Sequence, residues 1–173
     1  MKRIATVLSL SILVVAMLAF PAYAEDPANV SSTSDTQLEL FSDGSYAIID
    51  TTIEYATIYD QESVVATNAI AVASTSSTKT ASATYTYYSN SGDKKWSLTV
   101  TGRFSYNGST SKATSASVSH KIFGSGWSCS DTSHSISGAT AKATGTFKYG
   151  FLTKNAAIGL KCSAKGTITT VNY

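Results

Sequence analysis

The sequence of residues 81–106 is ASATYTYYSNSGDKKWSLTVTGRFSY. It contains two runs in which apolar or aromatic residues alternate largely with Ser and Thr, separated by the turn sequence SNSGD. Side chains of a β-strand point alternately to opposite faces, so a period of two indicates a strand with one buried face. In the second run this period places Trp96, Leu98, Val100 and Phe104 on one face. The stretch therefore predicts an antiparallel hairpin whose second strand lies at the centre of the core.

The same alternation continues on both sides of this hairpin. Toward the C-terminus, the residues predicted to face inward are Ala116, Val118, His120 and Ile122, then Ala139, Ala141, Ala143, Gly145 and Phe147, then Ala156, Ile158, Leu160 and Cys162. Toward the N-terminus, residues 38–59 predict one or two strands, and residues 63–73 fit either a strand or a short helix. Many short strands separated by turns predict an all-β domain, an antiparallel β-sandwich of the immunoglobulin-like type.

The N-terminus has the pattern of an export signal. Lys2 and Arg3 precede an apolar run, and Ala22 and Ala24 supply the small side chains of a cleavage site after residue 24. We therefore expect a signal peptide helix at 1–24, a flexible acidic leader at 25–37 and the β-sandwich domain at 38–173. An uncleaved anchor is the alternative, but the apolar run is near the lower limit of a spanning helix, about 20 residues. The expected product has no stable membrane span and is secreted, extracellular or loosely associated with the cell surface.

Composition favours an ordered sheet protein without affinity for nucleic acid. Ser and Thr make up about 30% of the chain, but 10 Tyr, 6 Phe and only 2 Pro argue against a disordered stalk. Without Lys2 and Arg3 the basic and acidic residues balance, which argues against a nucleic-acid partner. The charges are segregated, since residues 25–62 contain nine carboxylates and no Lys or Arg. We expect part of the acidic segment at 39–62 to pack beside the Lys-bearing strands of the same domain.

The two cysteines, Cys129 and Cys162, are predicted to form a disulfide. Export leads to an oxidising compartment, and both residues are in phase with inward positions. A Cys nucleophile paired with histidine and a metal site built from Cys129, Asp131 and His134 are the alternatives, but the spacing matches no known zinc pattern. No nucleophile-elbow Gly-x-Ser-x-Gly segment occurs. The sequence predicts no catalytic residue, metal or cofactor, and therefore a protein that is not an enzyme.

Aromatic and basic side chains on solvent-facing positions are the candidate binding residues. Tyr88 faces outward from its strand and could stack on a sugar ring, whereas Lys142, Lys148 and Lys161 could bind an anionic polymer. Alternatively, the rings pack locally and the lysines prevent sheets from pairing edge to edge. We expect non-enzymatic binding at the cell surface or envelope, to an anionic polymer, a glycan or a protein. A secreted antimicrobial or toxin-like protein is the alternative.

Several segments resemble a known group of proteins. They are DGSY at 43–46, YTYYSNSGDKKWSLTVTGRFSYNGSTSKATSASVS at 85–119, GWSCSDTSHSISGATAKATGTF at 126–147 and LKCSAKGTI at 160–168. Together they are similar to small secreted β-sandwich proteins of unknown function from Gram-positive anaerobes. The resemblance implies a β-sandwich and no particular activity. In that group a cysteine can follow the Tyr-Asn-Gly turn, where this chain has Lys112 and Ala113.

Overall fold

Ten strands make up most of the chain that the computed structural model describes, namely residues 9–10, 32–56 and 76–173. They are β1 (Ser9–Leu10), β2 (Ser32–Leu40), β3 (Tyr46–Ala56), β4 (Ser77–Tyr88), β5 (Lys94–Tyr106), β6 (Ser111–Ile122), β7 (Trp127–Ser137), β8 (Thr140–Tyr149), β9 (Leu152–Cys162) and β10 (Ile168–Asn172). None of these described segments forms a helix long and apolar enough to cross a membrane.

The strands form two antiparallel sheets, each with the order of a meander. The first sheet has the order β1-β2-β3-β4-β5-β6, and the second has the order β10-β9-β8-β7. Each connection after β4 contains five residues or fewer, so consecutive strands pair or adjoin. This order differs from the predicted immunoglobulin-like topology, in which Greek-key connections carry strands to distant neighbours. Alternation in the sequence identifies strands but does not determine their order in a sheet.

The inner faces of the two sheets share one core. Trp96 of β5 stacks on Phe147 of β8 with ring centroids 3.8 Å apart. The largest fully buried side chains are Trp96, Phe104, Phe147, Ile49, Leu98, Ile158, Leu160, Val100 and Cys162. Burying each large apolar side chain contributes about 1.5–3 kcal/mol. The predicted hairpin is confirmed, since β4 pairs with β5 and β5 supplies Trp96, Leu98, Val100 and Phe104 to this core.

The N-terminal predictions fall partly outside the described residues. β2 begins at Ser32 and pairs with β3, so residues 32–37 of the predicted leader belong to the first sheet. A strand near the edge of a sheet buries few side chains, and a polar sequence can therefore form one. Of the predicted signal peptide helix, only Ser9–Leu10 is described, as a short strand beside β2. The rest of residues 1–24, the leader at 25–31 and the ambiguous segment 63–73 lie outside the described residues.

The predicted disulfide between Cys129 and Cys162 is wrong. Cys129 is aligned with Phe147 and, across β8, with Lys154 of β9. Cys162 lies eight residues further along β9, or about 26 Å at roughly 3.3 Å per residue. A disulfide requires Cα atoms within about 7 Å. Both thiols are free, and burial raises the pKa of each. The period of two gives the face that a cysteine occupies, but not its position along the sheet.

We expect both cysteines to titrate as thiols in the absence of reductant. Cys129 is partly exposed and should react with a thiol reagent in the folded protein, whereas Cys162 is 1% exposed and should react only after unfolding. The measurement is a count of modified thiols by mass spectrometry before and after denaturation. An intact mass lower by two hydrogens, with no reactive thiol after denaturation, would show that the cysteines are paired after all.

Candidate functional site

A cleft of about 440 Å³ lies at one end of the molecule, where four loops meet. The loops are residues 41–45, 89–93, 123–126 and 150–151, and we call this end of the molecule the loop end. Clefts of about 300–1,000 Å³ are typical of small-molecule sites. The lining residues are Asp43, Ser45, Tyr87, Ser89, Asn90, Lys95, Ser125, Trp127, Tyr149 and Leu152.

The apolar wall of the cleft consists of aromatic rings held by the core. Trp127 and Tyr149 stack with centroids 5.6 Å apart and planes 27° apart. Trp127 also contacts Tyr87 at 5.7 Å, and Tyr87 stacks on the buried Trp96 at 5.1 Å. Tyr149 remains 51% exposed. The rings therefore form a pre-organised surface, anchored on the core at one side and open to solvent at the other.

Two glycines of the β6–β7 loop make room for this wall. Gly126 has a φ of +78°, and a Cβ atom there would lie 2.7 Å from the Tyr149 ring. At Gly124, a Cβ atom would lie 2.9 Å from Cδ of Lys95 and 3.1 Å from the Trp127 ring. Any larger residue at either position would displace a lining side chain. The Gly124-Ser125-Gly126 turn therefore determines the shape of the cleft.

Asp43 supplies a fixed negative charge to the rim. One of its carboxylate oxygens accepts hydrogen bonds from the Ser45 hydroxyl and from the Ser45 backbone N–H at 3.0 Å, and the other pairs with Lys154 at 3.1 Å. The hydroxyl and amide bonds of Ser45, with help from Lys154, lower the pKa of Asp43 to about 2. This carboxylate is therefore ionised at neutral pH. The ion pair also confirms that part of the acidic segment packs beside a Lys-bearing strand.

The rest of the rim offers groups of other kinds. Lys95 pairs with Asp93 at 3.2 Å, and hydrogen bonding from the Ser91 hydroxyl lowers the pKa of Asp93 below its usual value. Asn90 lies exposed in the β4–β5 loop and has both amide donors and an acceptor. The cleft therefore combines flat aromatic faces with a carboxylate, an amide and an ammonium group.

The four binding residues predicted from the sequence do not form one site, although Lys161 lies opposite Thr140 and is therefore a diagonal neighbour of Lys142. Tyr88 lies at the end of β4 on the outer face of the first sheet, where its ring stacks on Tyr46 at 4.8 Å. Lys142, Lys148 and Lys161 lie on the outer face of the second sheet. Lys142 is covered by the Tyr173 ring, with Nζ 3.6 Å from the ring centroid. Lys148 is six residues further along β8, about 20 Å away at roughly 3.3 Å per residue.

The alternative metal site also does not assemble. Asp131 is opposite Thr146 and His134 is opposite Ala143, so the two side chains project from opposite faces of β7. Among the described residues, no group of three or more His, Cys, Asp or Glu side chains is placed to hold a metal ion.

Sequence reasoning missed the cleft because its residues come from separate loops and from the ends of several strands. Turn sequences such as DG at 43–44, SNSG at 89–92 and GSG at 124–126 do mark these loops. In a meander, alternate connections lie at the same end of the sheet, and this rule could have grouped the loops once the strand order was known. The candidate residues identified from single strands could not show this arrangement.

Comparison with known proteins adds one distant structural likeness. The sequence matches no known protein-family model and no curated protein sequence. A hypothetical protein from Listeria monocytogenes, solved by crystallography, is similar to 82% of this chain over 94% of its own length, with 16% sequence identity and a TM-score of 0.42. A likeness at this level carries no conclusion about function, so the cleft has to be interpreted from its own chemistry.

Proposed function

We propose that this chain is an exported, non-enzymatic β-sandwich protein that binds a saccharide of a cell-envelope polymer or surface glycan in the cleft at the loop end. The observation that carries the proposal is the stacked pair of the half-buried Trp127 and the exposed Tyr149 beside the ionised carboxylate of Asp43. Export is proposed on the basis of the charged, apolar and small-residue pattern of residues 1–24.

The chemistry of the cleft matches that of a sugar. A pyranose ring has an apolar face of C–H bonds, which packs on an aromatic ring, and a rim of hydroxyl groups, which both donate and accept hydrogen bonds. Tyr149 offers the exposed ring. Asp43 offers acceptor oxygens, Lys95 offers donors, and Asn90 offers both at the same opening. An apolar wall with a few polar groups at its rim is the usual composition of a small-molecule cleft.

The same side chains favour binding over hydrolysis of a saccharide. Glycoside hydrolysis generally needs two carboxyl groups across the bond, one of them a general acid with a raised pKa. Among the described residues, Asp43 lines this cleft and Asp93 lies at its rim beside Lys95, and hydrogen bonds lower the pKa of both carboxyl groups, that of Asp43 to about 2. Such a group accepts hydrogen bonds from sugar hydroxyls and does not donate a proton at neutral pH.

We expect Tyr149→Ala to weaken retention on isolated cell-envelope material by about tenfold or more. The substitution removes the exposed stacking surface, and a loss of roughly 1.4 kcal/mol of binding free energy is a tenfold change. The measurement is a pull-down of purified protein on washed envelope fractions, with soluble oligosaccharides released from the same fractions as competitors. Trp127 fluorescence should change on addition of the active oligosaccharide and return on dilution.

Tyr173→Ala is the matched control, because Tyr173 is 54% exposed but lies on the outer face of the second sheet. It should leave retention unchanged. Equal retention of wild type, Tyr149→Ala and Tyr173→Ala would show that the cleft is not the binding site. Retention that no oligosaccharide competes for would rule out a saccharide as its ligand.

A further inference from the structure

Exposed apolar side chains are concentrated at the loop end. Among the described residues, the exposed large hydrophobic side chains are Leu40, Phe123, Ile136, Tyr149, Phe151, Leu152 and Tyr173. All but Ile136 and Tyr173 lie within one residue of the four loops that surround the cleft. Folding does not explain this distribution, since an apolar side chain contributes to stability by leaving water. Several exposed apolar groups at one end indicate a surface that meets a partner.

The most exposed of these residues is at the tip of the β8–β9 hairpin. Tyr149 pairs with Leu152 across a two-residue turn in which Gly150 has a φ of +55° and Phe151 does not have a positive φ, as in a type II′ turn. Phe151 is fully exposed, at 109% of its reference area. Because the turn has only two residues and the residues on either side of it are paired, the Phe151 ring projects directly from the end of the hairpin.

Basic side chains surround this apolar end. Lys94, Lys95, Lys121, Lys148 and Lys154 lie within three residues of the four loops, where the carboxylates are those of Glu39, Asp43 and Asp93. Lys95 and Lys154 are paired with carboxylates. Lys94 and Lys121 instead lie over the ring of Phe123, at 4.8 and 5.2 Å from its centroid. Lys148 is exposed beside the hairpin tip, next to Tyr149. The loop end therefore presents exposed aromatic rings and lysines together, with an excess of positive charge.

We propose that the loop end docks on an anionic lipid bilayer, with Phe151 entering the headgroup region and the lysines contacting lipid phosphates. Aromatic rings are favoured at the boundary between headgroups and acyl chains, and each Lys near an anionic surface adds to the attraction. The partner is identified by this combination, because lipid acyl chains take up an apolar tip and lipid phosphates neutralise the lysines around it. The inference goes beyond the saccharide proposal, since Phe151 is not a lining residue of the cleft.

The test is sedimentation of the purified full chain with phosphatidylglycerol vesicles and with phosphatidylcholine vesicles. We expect Phe151→Ser to weaken partitioning into phosphatidylglycerol vesicles by roughly tenfold. The matched control is Ile136→Ser, which removes a 45% exposed apolar side chain from an edge strand away from the loop end. All variants carry the same N-terminal apolar segment, so the difference between them reports on position 151 alone. Raising the salt concentration should weaken the binding of wild type.

A second variant reports insertion directly. Phe151→Trp should give a fluorescence component that shifts to the blue on anionic vesicles and is quenched by brominated lipids, whereas Ile136→Trp should give neither effect. Equal partitioning of Phe151→Ser and Ile136→Ser, or an unquenched Trp at position 151, overturns the proposal. Concentration-dependent dimers that Phe151→Ser abolishes would also overturn it, by identifying a second copy of the chain as the occupant. Retention of Phe151→Ser on envelope oligosaccharides is expected to remain normal, so failure of this proposal is distinguishable from failure of the saccharide proposal.

Discussion

Trp96→Ala is expected to lower the free energy of unfolding by about 3–5 kcal/mol, a large share of the 5–15 kcal/mol typical of a domain. Trp96 is 1% exposed and joins the two sheets, because it stacks on Phe147 of the facing sheet at 3.8 Å. It also stacks on Tyr85 at 5.7 Å and on Tyr87 at 5.1 Å within its own sheet. Its Nε1 atom has no hydrogen-bond partner among the described residues, so the ring stabilises the fold through its apolar surface.

The measurement is urea unfolding followed by circular dichroism, with Trp127→Ala as the matched control. Trp127 is only partly buried, so removing the same side chain there should cost clearly less. Trp96→Phe should recover part of the loss, since a phenyl ring can still stack on Phe147. If Trp96→Ala is no more destabilising than Trp127→Ala, the stack between the sheets is not the main anchor of the core.

The alternation of residues 94–106 predicted this central strand because its periodicity arises from burial itself. One face of β5 supplies Trp96, Leu98, Val100 and Phe104 to the core, as the period of two requires. Strand order has no comparable local signal, and the immunoglobulin-like prediction was therefore wrong. Similarly, residues 32–37 lack an apolar face and were predicted to be a leader, although backbone pairing with β3 places them in the sheet.

The candidate site was less predictable than the core. Tyr88 and the three lysines were selected because they face outward, but outward residues of different sheets point away from each other. The cleft instead depends on how the ends of β4, β5, β7, β8 and β9 meet, and its residues are far apart in the chain. Position along the strands is also the reason why Cys129 and Cys162 do not form the predicted disulfide. The backbone N–H of Cys162 donates to the carbonyl of Ala139, and that of Ala113, near the position where the resembling proteins can have a cysteine, donates to the adjacent carbonyl of Gly138. Cys129 lies toward the opposite end of the sheet.

A glycine two residues before a phenylalanine occurs on the inner face of each sheet, and it has the same role in both. A Cβ atom at Gly102 would lie 2.7 Å from Cζ of Phe104, and one at Gly145 would lie 2.9 Å from Cε2 of Phe147. Each ring thus folds back over the glycine of its own strand. The ring supplies the packing that the glycine lacks, and so offsets the weakening that a glycine causes inside a strand. The sequences GRF at 102–104 and GTF at 145–147 therefore each specify one packed unit of the core.

Gly102→Ala is expected to destabilise the protein by about 1–3 kcal/mol, although Ala is normally the better strand residue. The added Cβ atom would lie 2.7 Å from the Phe104 ring and 2.8 Å from Cβ of Ala141 in the facing sheet. Phe104 and Ala141 are both fully buried, so neither can turn out into solvent. Gly102→Val should destabilise the protein further, because it adds two more carbon atoms at the same contact.

Gly159→Ala tests the same substitution on the outer face of the second sheet. There the contact closest to the added Cβ atom, at 3.0 Å, is Cε2 of Tyr173, an exposed side chain that can turn away, and the closest backbone atom is the Ala141 carbonyl oxygen at 3.2 Å. We expect its urea midpoint to change less than that of Gly102→Ala, because the contacts of an added Cβ atom with buried side chains at Gly102 are 2.7–2.9 Å, whereas its closest backbone contact at Gly159 is 3.2 Å. Equal shifts for the two variants would mean that the interface around Gly102 can relax, and that its close packing contributes little to the stability of the fold.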